Sequence, residues 1–221
     1  DAAVGQLLAL TAMSGDDAYT PIGRIVDERA IVNAVVGLHA TGGSTNHLIH
    51  LVAIARAAGL RLHPSDFAAL ADVVPLLTRM YPNGSADVNR FQAAGGVPFV
   101  IAELLDVGLL HQDVRTVAGP GLARYAAQPW LDGDTLAWAA LPAARTSGDP
   151  EVLRPVAEPF HTNGALRILS GNLGTAALKL SACPVDRQVI EAPAVVIDDP
   201  AELKRMFERG ELDRDFVAVV R

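Results

Sequence analysis

From Ala30 to Ala55 the chain carries no Asp, Glu, Lys or Arg, and nothing else in the sequence restricts its fold as strongly. The stretch is long enough to span a bilayer, but His39, Thr41, Ser44, Thr45, Asn46, His47 and His50 interrupt it. It reads instead as two buried helices with a glycine turn between them. Before the turn, Ile31, Val32, Val35, Val36 and Leu38 fall at helical spacing in a segment starting at Glu28. After it, Leu48, Leu51, Val52 and Ala55 share one face of a second helix that begins at Ser44 or Thr45. Thr41-Gly42-Gly43-Ser44 is the turn, and Gly59 stands where a left-handed cap closes the second helix after about four turns.

The rest of the first half has the same texture. Ser65 and Asp66 are candidate N-caps for a helix around Phe67 to Val73, and Pro75 starts, kinks or breaks the next one. Residues 98–107 close at Gly108 in the same way, so a well-packed helical layer is expected. Past residue 140 the texture changes: residues 142–159 hold four prolines among small and charged residues, which marks a boundary or a long connection. We place the domain border there, giving residues 1–149 and 150–221. Beyond it Leu166, Ile168, Ala176, Leu178 and Leu180 alternate with polar residues at strand period, and Ala194–Ile197 and Phe216–Val220 are β-branched runs. One short helix interrupts this mostly β part. Asp199 caps it, Pro200 is N1, Glu202 completes a capping box and Gly210 ends it.

At about 150 residues per domain the 221 residues make about one and a half domains. Half are apolar and 19% are charged, ample material for a core. The net charge of -7 argues against nucleic acid and anionic membranes as partners. The single cysteine, Cys183, excludes a disulfide framework and a self-contained Cys-rich metal site, and fits a cytoplasmic setting. It reads as a structural thiol, not a nucleophile.

The sharpest local feature is His39-Ala40-Thr41-Gly42-Gly43-Ser44-Thr45-Asn46-His47. Paired glycines admit close approach of a ligand, hydroxyls and an amide offer donors, and the helix that follows turns its positive end towards an anion. An ordinary loop with Ser44 as N-cap fits the spacing equally well. Neither a Walker loop nor a dinucleotide fingerprint is present. His47 and His50 share a helix face and could bind a metal, but no third ligand or zincin glutamate accompanies them, so satisfied, partly buried histidines are expected. His63, His111 and His161 read as isolated surface or loop residues. Tyr81-Pro82-Asn83-Gly84-Ser85-Ala86-Asp87 and Gln92-Ala93-Ala94-Gly95-Gly96-Val97-Pro98 each mark a break before a helix, and Ser170-Gly171-Asn172-Leu173-Gly174 a hairpin or bulge.

Taken together in order, several segments resemble the dihydroxy-acid and phosphogluconate dehydratase family. They are Ile25-Val26-Asp27-Glu28, Gly37 to His47, Ala53 to Gly59, Tyr81 to Gly84, Phe91 to Gly96, Gly108 to His111 with Thr116 to Gly119, and Ser170 to Gly174. The match is strongest to the phosphogluconate branch and covers nearly the whole chain. It implies an α/β fold: here the mainly helical part of an α/β N-terminal domain, followed by the start of a β-barrel-like C-terminal domain, with an active site between them. It also implies a hydro-lyase that dehydrates 6-phospho-D-gluconate to 2-keto-3-deoxy-6-phosphogluconate in the Entner–Doudoroff pathway. In that chemistry a base takes the C2 proton, hydroxide leaves C3, and the enol tautomerises to a 2-keto acid.

The resemblance further implies a 4Fe-4S cluster, with a divalent metal as a further candidate, and a homodimer when full-length. The family's cluster cysteines lie upstream of the matched stretch, and its catalytic serine, in an Asp-Gly-Arg-x-Ser-Gly segment, lies downstream. The chain thus reads as an internal fragment, inactive and cluster-free by itself, without a catalytic residue or metal ligand of its own and prone to self-association. Substrate contact is what transfers, to Gly42, Gly43, Ser44, Thr45, Asn46 and His47, for a phosphorylated sugar acid. Two competing readings are a dihydroxy-acid or unphosphorylated sugar-acid dehydratase, and a stand-alone, non-catalytic ligand-binding module.

Overall fold

The computed structural model describes residues 1–15, 18–81, 83–142 and 145–220, and divides into two compact units, residues 1–182 and 183–221. Six helices build the first: α1 (Ala2–Ala9), α2 (Glu28–Thr41), α3 (Thr45–Ala57), α4 (Pro64–Ala71), α5 (Val88–Ala94) and α6 (Gly96–Asp106).

Of the uncharged stretch only α2 is a buried helix, covered on two sides; α3 buries Leu51 and Ala55 alone and leaves Ile49 and Ile54 exposed, so the second helix is not buried as expected. Val36 and Ala40 join a cluster with Phe91, Phe99, Val100, Leu104 and Leu153, while Val35 and Leu38 join a second with Leu51, Phe67 and Leu166. A helix flanked by apolar neighbours on two faces leaves little room for charge. Asp27 caps its start, Oδ1 accepting from the Ala30 amide at 2.8 Å, which holds the Asp27 carboxyl below its usual range. The end of α3 follows the expected glycine stop: Gly59 has φ +77°, and the amides of Gly59 and Leu60 return to the carbonyls of Arg56 and Ala55.

Further expectations need correction. Ser65 and Asp66 do not cap α4; His63 does, with Pro64 at N1 and the Asp66 carboxylate accepting from the His63 amide at 2.7 Å. Asp66 carries the reciprocal half of a capping box, a role three residues downstream of the cap. Strands also begin earlier than expected, before residue 140. After β1 (Arg115–Thr116) and β2 (Gly119–Pro120) come β3 (Ala127–Asp132) and β4 (Thr135–Ala140), an antiparallel hairpin with Asp132 paired to Thr135. Gly133 leads its two-residue loop at φ +61°, a conformation in which glycine is at no steric cost.

A second hairpin pairs β5 (Leu166–Gly171) with β6 (Gly174–Lys179) where strands are expected, but without the expected alternation: Leu166 is buried and Ile168 half-buried, Ala176 and Leu178 are exposed, and Leu180 lies past the end of β6. Between the hairpins, the extended chain at Leu76 and Thr78 bridges to His161 on one side and Leu153 on the other, so residues 76–79 are held between two later segments.

The second unit holds β7 (Ala194–Ile197), α7 (Pro200–Glu208) and β8 (Val217–Val220), with the two strands parallel. Asp199 caps α7 through a bond from the Ala201 amide at 2.9 Å. Another correction lies here. Glu202 does not turn back to its cap; its carboxylate pairs with Arg205 at 2.7 Å and Arg209 at 2.9 Å. Two guanidinium donors outbid one backbone amide for an exposed carboxylate. The chain is thus mixed helix and sheet, and its sheets among the described residues are open and two-stranded.

Candidate functional site

Distant segments converge on the last turn of α2. The final carbonyls of a helix have no intrahelical donors and must find others. Here the Leu38 carbonyl takes the amides of Gly42 and Gly43, and the His39 carbonyl that of Ala165 at 3.3 Å. The Ala40 carbonyl takes the Leu77 amide at 2.8 Å, and the Thr41 carbonyl the hydroxyl of fully buried Thr78 at 2.8 Å. The Gly42 carbonyl accepts from Asn83 Nδ2, also at 2.8 Å. Gly42 sits at φ +65°, and a Cβ on it would overlap the Asn83 amide; one on Gly43 would come within 2.5 Å of Leu38 Cδ1. The two glycines are therefore required by the helix stop and by what packs on it.

Of the residues assigned to substrate contact, Gly42 is buried, Gly43 and Thr45 are half-buried, and Ser44, Asn46 and His47 are exposed. Ser44 is the N-cap of α3: its Oγ accepts from the Asn46 amide at 3.1 Å and its carbonyl from the His47 amide at 2.9 Å. Two amides of the first turn are thus already engaged, and the loop offers a ligand chiefly its exposed side chains. His47 and His50 are both exposed, against the expectation of partial burial; the residues α3 buries are Leu51 and Ala55.

The second glycine patch is tied to the first. Asn83 spends its Nδ2 on Gly42 and accepts the Ser181 hydroxyl on Oδ1 at 3.2 Å, so one amide joins three segments. Beside it, a Cβ on Gly84 would stand 2.6 Å from the Arg79 carbonyl, so the turn closes over Arg79 only with glycine there. Pro82 lies outside the described residues. Asp87 caps α5, accepting from the amides of Arg90 at 2.9 Å and Asn89 at 3.0 Å, and the Arg90 amide holds its carboxyl below the usual range. Gly95 and Gly96 serve packing: a Cβ on Gly95 would be 2.9 Å from Phe99 Cβ. Residues 170–174 form the exposed tip of the β5–β6 hairpin, and among the described residues no hydrogen bond links them to the Gly42 loop.

Two features escaped the sequence. His39 is fully buried, its Nε2 3.0 Å from the Phe67 carbonyl and its Nδ1 without a hydrogen-bond partner. Burial pushes its pKa below the usual value; the Phe67 carbonyl opposes this and the Arg167 charge adds to it. The ring is neutral and donates through Nε2. The other feature is a cavity of about 390 Å³ that gathers Arg79, Arg90 and Arg154 around Phe160. These arginines are far apart in sequence and follow no motif. Pairing of residues 76–79 with the two later segments brings Arg79 and Arg154 together, and Arg90 joins them from α5.

An iron–sulfur cluster does not fit the residues of this chain. Cys183 is its one cysteine, whereas such clusters are held by several thiolates. Among the described residues no group of three or more His, Cys, Asp or Glu side chains is placed to hold a metal, and none of their helices is long and apolar enough to cross a membrane.

Comparison with known proteins places this geometry. Residues 2–125 match the dihydroxy-acid/6-phosphogluconate dehydratase N-terminal model and residues 151–221 the C-terminal model of the same family. The chain is 54% identical over 213 residues to the phosphogluconate dehydratase of Escherichia coli (strain K12), covering 96% of this chain and 35% of that protein. It is 55% identical over 219 residues to that of Rhizobium meliloti (strain 1021), covering 99% of this chain and 36% of that protein. To the dihydroxy-acid dehydratase of Renibacterium salmoninarum it is 34% identical over 200 residues, covering 89% of this chain and 32% of that protein. The chain spans about a third of the length of the curated relatives it matches. It belongs to the dihydroxy-acid/6-phosphogluconate dehydratase family.

Proposed function

We propose that this chain is the central part of a hydro-lyase that dehydrates 6-phospho-D-gluconate to 2-keto-3-deoxy-6-phosphogluconate. The observation that carries the reading is the contrast in identity: 54–55% to proteins named phosphogluconate dehydratase, and 34% to one named dihydroxy-acid dehydratase. In this reading the Gly42 to His47 loop touches substrate. Ser44, Thr45 and Asn46 hydrogen-bond its oxygens, and the N-terminus of α3 favours its negative end. Asn83 and Thr78 keep the loop from moving when the ligand arrives.

The same reading covers the rest of the protein. The division at residues 149/150 separates the family's two domains, and it is supported by the gap between the matches ending at 125 and starting at 151. Residues 150–221 open a barrel-like domain. The full-length enzyme is a cytoplasmic homodimer in gluconate utilisation. A 4Fe-4S cluster, with a divalent metal as a further candidate, would be held by residues outside this chain and would supply Lewis acidity when bound. The chain by itself contributes no cluster ligand and no catalytic residue, and is inactive.

The test is an anaerobic, cluster-reconstituted assay of the full-length protein with 6-phosphogluconate, gluconate and 2,3-dihydroxyisovalerate. Release of a 2-keto acid from 6-phosphogluconate, with kcat/KM at least tenfold above the other two, is the expected result. Preference for either competitor overturns the assignment of substrate.

A further inference from the structure

We propose that the cavity around Phe160 is a phosphate subsite, taking the dianionic phosphate of a phosphomonoester through Arg79 and Arg154. The proposal rests on the functional reading above for the identity of the ester; its residues and geometry stand apart from that reading.

Arg79 and Arg154 place their guanidinium carbons 4.6 and 4.4 Å from the centroid of the Phe160 ring. Two like charges share one aromatic ring, and among the described residues neither forms an ion pair with a carboxylate. Such a pair repels itself unless an anion lies between or beside it. Stacking on Phe160 relieves part of that repulsion and fixes the planes of both groups.

The scaffold beneath them is rigid. The Arg79 amide donates to the Val152 carbonyl at 2.8 Å, the Arg154 amide to the Leu77 carbonyl at 2.9 Å, and the Phe160 amide to the Leu76 carbonyl at 2.9 Å. Arg154 Nε is spent on the Pro150 carbonyl at 2.9 Å, which aims its outer nitrogens. All three side chains therefore stand on one hydrogen-bonded platform, set for an anion before it arrives.

The surrounding charges favour a single anionic group. Arg90 is held by Asp149 at 2.5 Å, and each partner strengthens the charge of the other. Glu151 lines the cavity and is the one acidic side chain among its lining residues, so Arg79 and Arg154 leave an excess of positive charge. Ser85 adds a hydroxyl to the lining. Asn83 also lines the cavity while donating to the Gly42 carbonyl, so the cavity begins where the Gly42 loop ends. An acid with a phosphate at one end and a carboxylate at the other suits that succession.

The test uses the full-length protein in two arms. Calorimetric titration with inorganic phosphate reads the subsite without any need for turnover. Wild type binds phosphate saturably; Arg79→Gln and Arg154→Gln each weaken binding at least about tenfold, the scale of a lost charge-assisted hydrogen bond, and Arg79→Lys recovers part of it. Glu151→Gln tightens it a few-fold. 6-Phosphogluconate displaces the phosphate and gluconate does not. In the kinetic arm the two Gln variants raise KM for 6-phosphogluconate by a similar factor and change kcat less than threefold.

No saturable phosphate binding, or Gln variants that bind like wild type with an unchanged circular-dichroism spectrum, overturns the proposal. Phosphate binding that the Gln variants abolish, in a protein that does not dehydrate 6-phosphogluconate, supports the subsite and sinks the functional reading. Turnover of 6-phosphogluconate with a KM indifferent to both variants does the reverse.

Discussion

A Cβ on Gly164 would stand 2.5 Å from the Nδ1 of His39, closer than any real side chain sits. The backbone of Gly164 thus forms one wall of the slot that holds the imidazole, and its amide is itself bonded to the Ala71 carbonyl at 2.7 Å. Neither side can give way easily. Gly164→Ala is expected to destabilise the fold by about 1–3 kcal/mol, the usual cost of overpacking a tight core site. Urea unfolding checks this, and an unchanged midpoint would mean that the imidazole swings aside.

The same histidine sets a dependence on pH. Its folded pKa lies below the unfolded value of 6.5, so below pH 6.5 the unfolded chain binds the proton that the folded one refuses. Stability is fully present above pH 6.5 and declines as pH falls from there towards the folded value, by up to about 1.4 kcal/mol per unit. Urea midpoints at pH 7.5, 6.5 and 5.5 measure the slope. His39→Leu should flatten it between the last two, because a residue that cannot protonate contributes no such difference.

Asn83 joins Gly42 to Ser181, and an isosteric change distinguishes packing from bonding. Asn83→Asp puts a carboxylate oxygen where Nδ2 donates, facing the Gly42 carbonyl. It should cost more stability than Asn83→Ala, which loses about 1–2 kcal/mol by leaving that carbonyl unpaired. Equal losses for the two variants would show that the amide fills space and little else.

Glu103 and Arg145 form the best-shielded ion pair described, with 14% and 10% of their side chains exposed and Nε 3.2 Å from Oε1. The second oxygen of Glu103 accepts the Val156 amide at 2.9 Å, so the carboxylate also anchors the segment leading to Phe160. Truncation by Glu103→Ala leaves the Val156 amide without its acceptor and Arg145 with Asp106 as its remaining partner, and a loss of about 1–3 kcal/mol is expected by chemical denaturation. Glu103→Gln keeps one of the two acceptor oxygens and should lose less.

Asn46 tests the loop directly. In the full-length enzyme Asn46→Ala should lower kcat/KM for 6-phosphogluconate at least about tenfold, while its thermal midpoint stays within a degree or two, since the Asn46 side chain is exposed. Ser44→Ala removes the N-cap of α3 and should cost about 1 kcal/mol of stability in addition to any effect on rate. An unaltered rate in Asn46→Ala returns the loop to a purely structural role.

The helices around the glycine turn could be read from the chain because their signals are local: apolar spacing on α2, an aspartate at its start, Gly59 in the left-handed cap. The β3–β4 hairpin has a local signal too, the apolar Trp130 and Leu131 before and Leu136 and Trp138 after the Gly133-Asp134 loop. His63 lost its role to the more familiar caps Ser65 and Asp66, although Pro64 at N1 pointed to the residue before it. Of the candidate site, the loop was legible and the basic cavity was not. Arg79, Arg90 and Arg154 are surface-type residues with no spacing in common; backbone pairing between residues 76–79 and 152–161 gives Arg79 and Arg154 a shared address, and α5 adds Arg90.

The carbonyls of His39, Ala40, Thr41 and Gly42 are closed by groups 37 or more residues downstream, the last of them the Ala165 amide. During synthesis the chain from Glu28 to Gly43 therefore leaves the ribosome with its loop unfastened. The loop acquires its final bonds only after the segment through Ala165 has emerged. The Gly42 loop would thus reach its folded form late in translation, and stalled chains released before that point would expose the loop to proteases at its two glycines.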